Sequence, residues 1–174
     1  MLDTRNGLNI RLNRHEVRYA AMAGVERRIN AIAKQRPAYH GVDGRSNEWQ
    51  IDIIGCLGEL AVSKALNLYW EAVSNEKLDS LPGDVEGYQV RSTRHQTGKL
   101  IVYETDKDDA PYILAVVNEP DVFLAGWLYG AEAKLAVEPK RGSTSNEFWV
   151  PQRMLRPMGE LIQARSSGSD TPYS

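Results

Sequence analysis

Residues 48–67 read as a helix that is apolar nearly all round. Trp49, Ile51, Ile53, Ile54, Leu57, Leu60, Ala61, Val62, Ala65 and Leu66 leave it no wide polar face. Such a helix has to be buried over most of its surface, so the rest of the chain must supply elements that wrap it. Polar, acidic and small residues interrupt it at Asp52, Gly55, Cys56, Glu59 and Ser63, which fall at spacings of three, four and seven and so form one narrow stripe. Gly55 and Gly58 each cost about 1 kcal/mol of helix stability relative to Ala. Close approach of another element, or of a ligand, explains that cost.

The flanking segments indicate what does the wrapping. Asn13 followed by Glu16 signals the start of a helix over about 14–35. Val17, Ala21, Val25, Ile29 and Ile32 recur along it at helical spacings as a single apolar stripe. Pro37 stops this helix, and the turn-rich stretch 37–47 reads as a loop in which Ser46 or Asn47 caps the next one. After a loop over 74–84 come short β-branched or aromatic runs at Tyr88–Thr93, Lys99–Glu104, Pro111–Val117 and Val122–Leu128. His95-Gln96-Thr97-Gly98 reads as a hairpin loop between the first two. The continuously apolar Tyr112–Val117 predicts a central strand covered on both faces. A short helical piece near 130–135, a flexible loop over 141–146 and a last element near 150–165 complete the chain, and the polar tail 166–174 is expected to be disordered. Helices, then strands, then a helix predict one α+β domain over 1–165 with a three-layer tendency. Its parts are a basic N-terminal helix (13–36), a core helix (48–67), a sheet region (84–128) and a C-terminal element (147–165). Helices should pack on a mixed central β-sheet of about four to five strands.

Bulk properties narrow the function classes. No apolar run approaches the roughly 18 residues that span a bilayer, and the amino terminus lacks the charged-then-apolar layout of a secretory signal. Cys56 is the only cysteine, which excludes an internal disulfide and a cysteine-based zinc cluster. A cytoplasmic setting is expected. Net charge is −2, but residues 1–36 hold eight Arg or Lys against three acids, so this first fifth carries +5 and the remainder −7. A basic patch of this kind, with Arg14 and Arg18 on its helix, can dock a phosphate backbone. It is equally what a solvated helix face looks like. Phosphate-binding glycine loops, a dinucleotide fingerprint, His-Glu-x-x-His and a serine-nucleophile elbow are all missing from the sequence.

The densest chemical signal is Asp84-Val85-Glu86-Gly87-Tyr88-Gln89-Val90-Arg91. Strand alternation puts Gln89, Arg91 and Thr93 on one face, beside a turn carboxylate at Asp84. If the Glu59 stripe packs over that side, two carboxylates, an amide oxygen and a guanidinium converge. Oxygen ligands beside a fixed positive charge suit a hydrated Mg²⁺ acting on a phosphodiester. Asp84, the Gln89 amide oxygen and the Val90 carbonyl would supply ligands, with Glu59 as a further one. Arg91 would hold a phosphate oxygen. Arg94, His95 and Lys99, just beyond, would grip a neighbouring phosphate. Plainer readings stand beside these: Asp84 as a turn residue, Glu59 and Arg91 as a structural ion pair, and 94–99 as an exposed loop.

A helix glutamate, an aspartate, and then Gln89-Val90-Arg91 in the place of an acid-x-Lys element make a layout that resembles the PD-(D/E)XK nucleases. It covers roughly residues 48–128. The resemblance implies the restriction-endonuclease-like fold and hydrolysis of DNA by a water activated on Mg²⁺ or Mn²⁺. It further implies catalytic roles for Glu59, Asp84, Gln89 and Arg91, a possible homodimer, and an origin in a phage or mobile element. The chain departs from the pattern in three places: Gly83 separates Pro82 from Asp84, Gln89 replaces the usual acid, and Arg91 replaces the usual lysine. Loss of the acid removes a charge from the ion site and should weaken binding. The departures also fit a catalytically inactive nuclease-fold DNA-binding protein. A structural or interaction protein of a mobile element is the third reading.

Overall fold

Helix α2 (Glu48–Leu66) is buried as its composition demands, with Ile54, Cys56, Leu57, Gly58, Glu59, Ala61, Val62, Ser63 and Leu66 all screened from solvent. A computed structural model describes residues 7–34, 48–72, 84–142 and 145–166 of the chain. The loop expected over 37–47, that over 74–84 up to Asp84, the cap at Ser46 or Asn47, and the tail 166–174 after Ser166 lie outside the described residues.

The core of the fold is a four-stranded mixed sheet in the order β1 (Leu8–Arg11), β5 (Asp121–Tyr129), β4 (Pro111–Asn118), β2 (Gln89–Thr93). β2 runs parallel to β4, while β4–β5 and β1–β5 are antiparallel. As its apolar run predicts, β4 is central and covered on both faces. Ile113, Ala115 and Val117 join Leu57, Ala61 and Val62 of α2 in one apolar cluster. Tyr112, Leu114 and Val116 join a second cluster with Leu100, Val102 and Val150. These last residues belong to a separate sheet in the order β3 (Leu100–Tyr103), β7 (Asn146–Val150), β6 (Lys140–Arg141). The architecture is therefore α+β, with the helices over 14–33, 48–66 and 158–166 on one face of the mixed sheet and a small antiparallel sheet, joined by the helix over 130–136, on the other.

Two expectations change here. The 95–98 segment does turn the chain, with the Gly98 N–H donating to the His95 carbonyl (2.8 Å), yet β2 and β3 do not pair. Both faces of β4 are apolar and need cover, and moving β3 onto the second face provides it. The second correction concerns α1 (Arg14–Ala33). Its start matches the sequence reading: Asn13 Oδ1 accepts from the His15 and Glu16 N–H groups, and Glu16 reaches back to the Asn13 N–H. Only the start of its apolar stripe meets the core, where Val17 packs; the rest faces out, with Val25, Ile29 and Ile32 exposed by 37%, 46% and 56%. The buried face is instead Ala20, Ala23, Gly24 and Arg28. Small residues let α1 lie close on α2, and this face also carries Arg27 and Arg28 to acidic partners. Arg28, only 5% exposed, donates to Asp52 (2.7 Å) and Glu48 (2.5 Å). Arg28 of the supposed surface patch is thus internal, and Arg27 is largely withdrawn from solvent.

β5 holds a bulge where pairing shifts between Leu114 and Ala115. Gly126 sits at the irregularity with φ +144°, and the extra residue turns Trp127 toward the helix-side cluster. A Cβ at Gly126 would lie 2.5 Å from the Arg156 carbonyl oxygen. Gly126→Ala is therefore expected to cost about 1–3 kcal/mol from backbone strain alone, read as a lowered midpoint in urea unfolding. An unchanged midpoint would show that the bulge relaxes freely. Helices α3 (Gly130–Ala136) and α4 (Met158–Ser166) close the fold. Among the described residues, no helix is long and apolar enough to cross a membrane.

Candidate active-site groove

Among the described residues β2 pairs only with β4, which leaves it at one edge of the mixed sheet. Along that edge the helix layer and the small sheet part to form a groove of about 1160 Å³. Arg27, Asp52, Gly55 and Glu59 line it from the helices; Asp84, Gln89, Arg91, Ser92 and Thr93 from β2 and its approach; His95, Lys99, Asp106, Lys140 and Trp149 from the other side.

The strand alternation expected for β2 holds, but the helix lies on the opposite face from the one supposed. A Cβ on Gly58 would come 2.0 Å from Ser92 Oγ and 3.1 Å from Ala115 Cβ, so α2 packs on the Val90–Ser92 face. This contact explains the glycine. Gly55, with nothing within 4 Å of a built Cβ, opens toward the groove. Arg91 turns to the small sheet. Glu59 and Arg91 consequently line the groove from opposite faces of β2.

Asp84 is fixed by a tight reversal. Val85 and Tyr88 exchange backbone hydrogen bonds (3.1 and 2.9 Å) across Glu86 and Gly87, both at positive φ (39° and 92°). That is the two-residue geometry glycine favours. The Asp84 N–H donates to the Tyr88 carbonyl, and its Oδ2 accepts from the Val90 N–H at 2.8 Å. Burial pushes the Asp84 carboxyl above the ordinary aspartate range; the Val90 N–H and the charges of Arg91 and Arg27 pull back only in part.

Glu59, 4% exposed, is gripped at both oxygens by Arg27 (2.6 Å each), and Trp70 Nε1 donates to Oε2 at 3.0 Å. Burial pushes this carboxyl up and the charge of Asp84 adds to the push, while Arg27 opposes it. Arg27 is held cationic because Glu59 outweighs the desolvation of its guanidinium. Two short contacts to a permanently charged fork fit the ionised pair. Arg91 donates to the Ile101 carbonyl (3.3 Å) and to Asp106 (2.9 Å) and lies over the Tyr112 ring. It too stays cationic, since Asp106 and Asp84 outweigh its desolvation. Arg91 is thus not Glu59's partner.

The groove therefore gathers Glu59, Asp84, Gln89, Arg91, His95 and Lys99. Arg94 lies outside its lining and pairs with Glu119. Arg14 and Arg18 sit on exposed turns of α1, about 20 and 14 Å along the helix axis from Arg27 at 1.5 Å per residue. Sequence reasoning missed Arg27, Trp70 and Asp106. For Arg27 a signal existed: positions 20, 23, 24, 27 and 28 form a helical face of small residues and paired arginines. Trp70 and Asp106 gave none.

Among the described residues no three Asp, Glu, His or Cys side chains gather to hold a metal. Of the predicted ligands, Arg27 covers both Glu59 oxygens, which leaves Asp84 and Gln89; Asp52 and Asp106 line the same groove but are held by Arg28 and Arg91. Such a set fits a hydrated Mg²⁺, which takes one or two carboxylates and completes its shell with water and substrate phosphate. It does not fit an all-protein cage. No family model matches the chain, and comparison with curated proteins and with solved structures likewise found no match.

Proposed function

We propose that the chain is a divalent-metal-dependent nuclease that hydrolyses phosphodiester bonds of DNA in this groove. The observation that carries the reading is that Glu59, Asp84, Gln89 and Arg91 all line one open groove, where buried Glu59 feels the charge of half-buried Asp84. A carboxyl shifted by burial and by a specific charged neighbour, in a cleft, is a candidate functional group. Asp84 and Gln89 would hold Mg²⁺ or Mn²⁺, which when bound lowers the pKa of a coordinated water and offsets charge developing on phosphorus. Arg91 remains protonated and so serves as a phosphate clamp, preset by Asp106. His95 and Lys99 would meet the adjoining phosphates.

The second reading is a DNA-binding protein without cleavage, and the observation favouring it is the engagement of both Glu59 oxygens by Arg27. Incubation with supercoiled plasmid and with single-stranded DNA, in Mg²⁺, Mn²⁺ or chelator, separates the two. Cleavage that chelation stops is expected. Salt-sensitive binding with intact DNA in every ion would move the protein to the second reading.

A further inference from the structure

We propose that Arg27 is a phosphate-binding residue that holds Glu59 back from the metal until a phosphodiester enters, so that the two ligands of the groove bind cooperatively. This deepens the nuclease reading and rests on it. Arg27 NH1 and NH2 bond the two Glu59 oxygens at 2.6 Å in the fork-to-fork arrangement. That fork covers the edge a cation would take. A phosphate offers a guanidinium the same two-oxygen geometry as a carboxylate. Arg27 lines the groove from the helix side and Arg91 from β2, so a diester lying in the groove competes with Glu59 for the Arg27 fork.

The electrostatics then set the direction of the coupling. Once Arg27 turns to phosphate, Glu59 is left buried beside Asp84, whose charge already opposes it. A divalent cation near the two acids relieves that repulsion. In reverse, a cation drawing Glu59 away frees the Arg27 fork for an anion. Each ligand raises the affinity for the other by the same factor, as linkage requires. An inert strut between α1 and α2 would leave only the coupling that comes from phosphate oxygens ligating the ion directly, and replacing Arg27 would not change it.

Mn²⁺ binding, followed by electron paramagnetic resonance and calorimetry, tests this with and without a short DNA duplex carrying phosphorothioate linkages. In the unaltered protein the duplex is expected to tighten Mn²⁺ binding roughly 5- to 150-fold, the usual span of coupling between sites, and Mn²⁺ should tighten duplex binding equally. Arg27→Gln should bind Mn²⁺ alone more tightly than the parent does and lose most of the coupling, keeping only the part due to phosphate ligating the ion directly; coupling undiminished in this variant overturns the proposal. Arg27→Lys keeps the charge without the fork and should show reduced coupling; it decides the matter if the Gln variant does not fold. Equal Mn²⁺ affinity with and without duplex, or full coupling in Arg27→Lys, overturns the proposal and leaves the nuclease reading standing. Absence of Mn²⁺ binding under both conditions overturns the metal-dependent reading along with it.

Discussion

Asp84→Asn is expected to abolish Mg²⁺-dependent cleavage while leaving a folded protein whose Tm at neutral pH equals or exceeds that of the parent. A direct ligand should matter more than the outer-shell partners of a metal, whose loss costs about 10- to 100-fold. Stability moves the other way because the asparagine oxygen can still accept from the Val90 N–H, while a charge that burial disfavours is gone. Burial raises the folded-state pKa of Asp84 above its unfolded value, so this group's stabilising contribution is fully present below the unfolded pKa. It is lost as pH rises through the folded pKa. The parent should therefore fall behind the variant as pH climbs through the upper carboxylate range, with the gap constant above it. Tm measured against pH for both proteins checks this. Cleavage that survives removes Asp84 from the mechanism, and a variant Tm far below the parent's would make the carboxylate structural.

Glu59→Ala is expected to be the most destabilising of these substitutions. Removing one member of a buried ion pair costs about 3–5 kcal/mol, which for a chain of this size lowers Tm by roughly 2–4 °C per kcal/mol. The cause is Arg27, whose side chain is 13% exposed and which cannot shed its proton when its partner goes. Trp70 loses its acceptor at the same time. The asymmetry is useful: Glu59 left alone can take up a proton, so Arg27→Gln should be the milder change. The double variant Glu59→Leu, Arg27→Met should recover most of the loss, because replacing both charges of a buried pair by apolar groups is often neutral or better. Urea unfolding of the two single variants and the double variant decides it. A Glu59→Ala cost below about 1 kcal/mol would be that of a solvent-exposed pair and would show Arg27 escaping to water.

The elements themselves were largely legible. The Asn13–Glu16 capping box, the all-apolar α2 and the continuously apolar β4 each carry a local signal strong enough to specify their structure, and all three form as expected. Strand β1 and the β6–β7 ladder were not anticipated, since short segments such as Leu8–Arg11 and Lys140–Arg141 owe their pairing to a neighbour and not to their own pattern. Which face of α1 is buried has a related cause. Val25, Ile29 and Ile32 form an obvious apolar stripe, yet the close α1–α2 contact selected Ala20, Ala23 and Gly24 because only small side chains permit it.

For the groove, the residue types and their spacing settled which groups have the chemistry to matter: an acid inside an apolar helix, an acid before a strand, an amide and a cation on that strand. Which of them meet was decided by the tertiary fold. Placing β2 at the sheet edge let Glu59 and Arg91 line one groove from opposite faces, and packing α1 on α2 gave Glu59 a partner 32 positions away. Local pattern encodes which way a side chain points along its own element. Ion pairing and burial depend on distances between elements, which no local pattern contains.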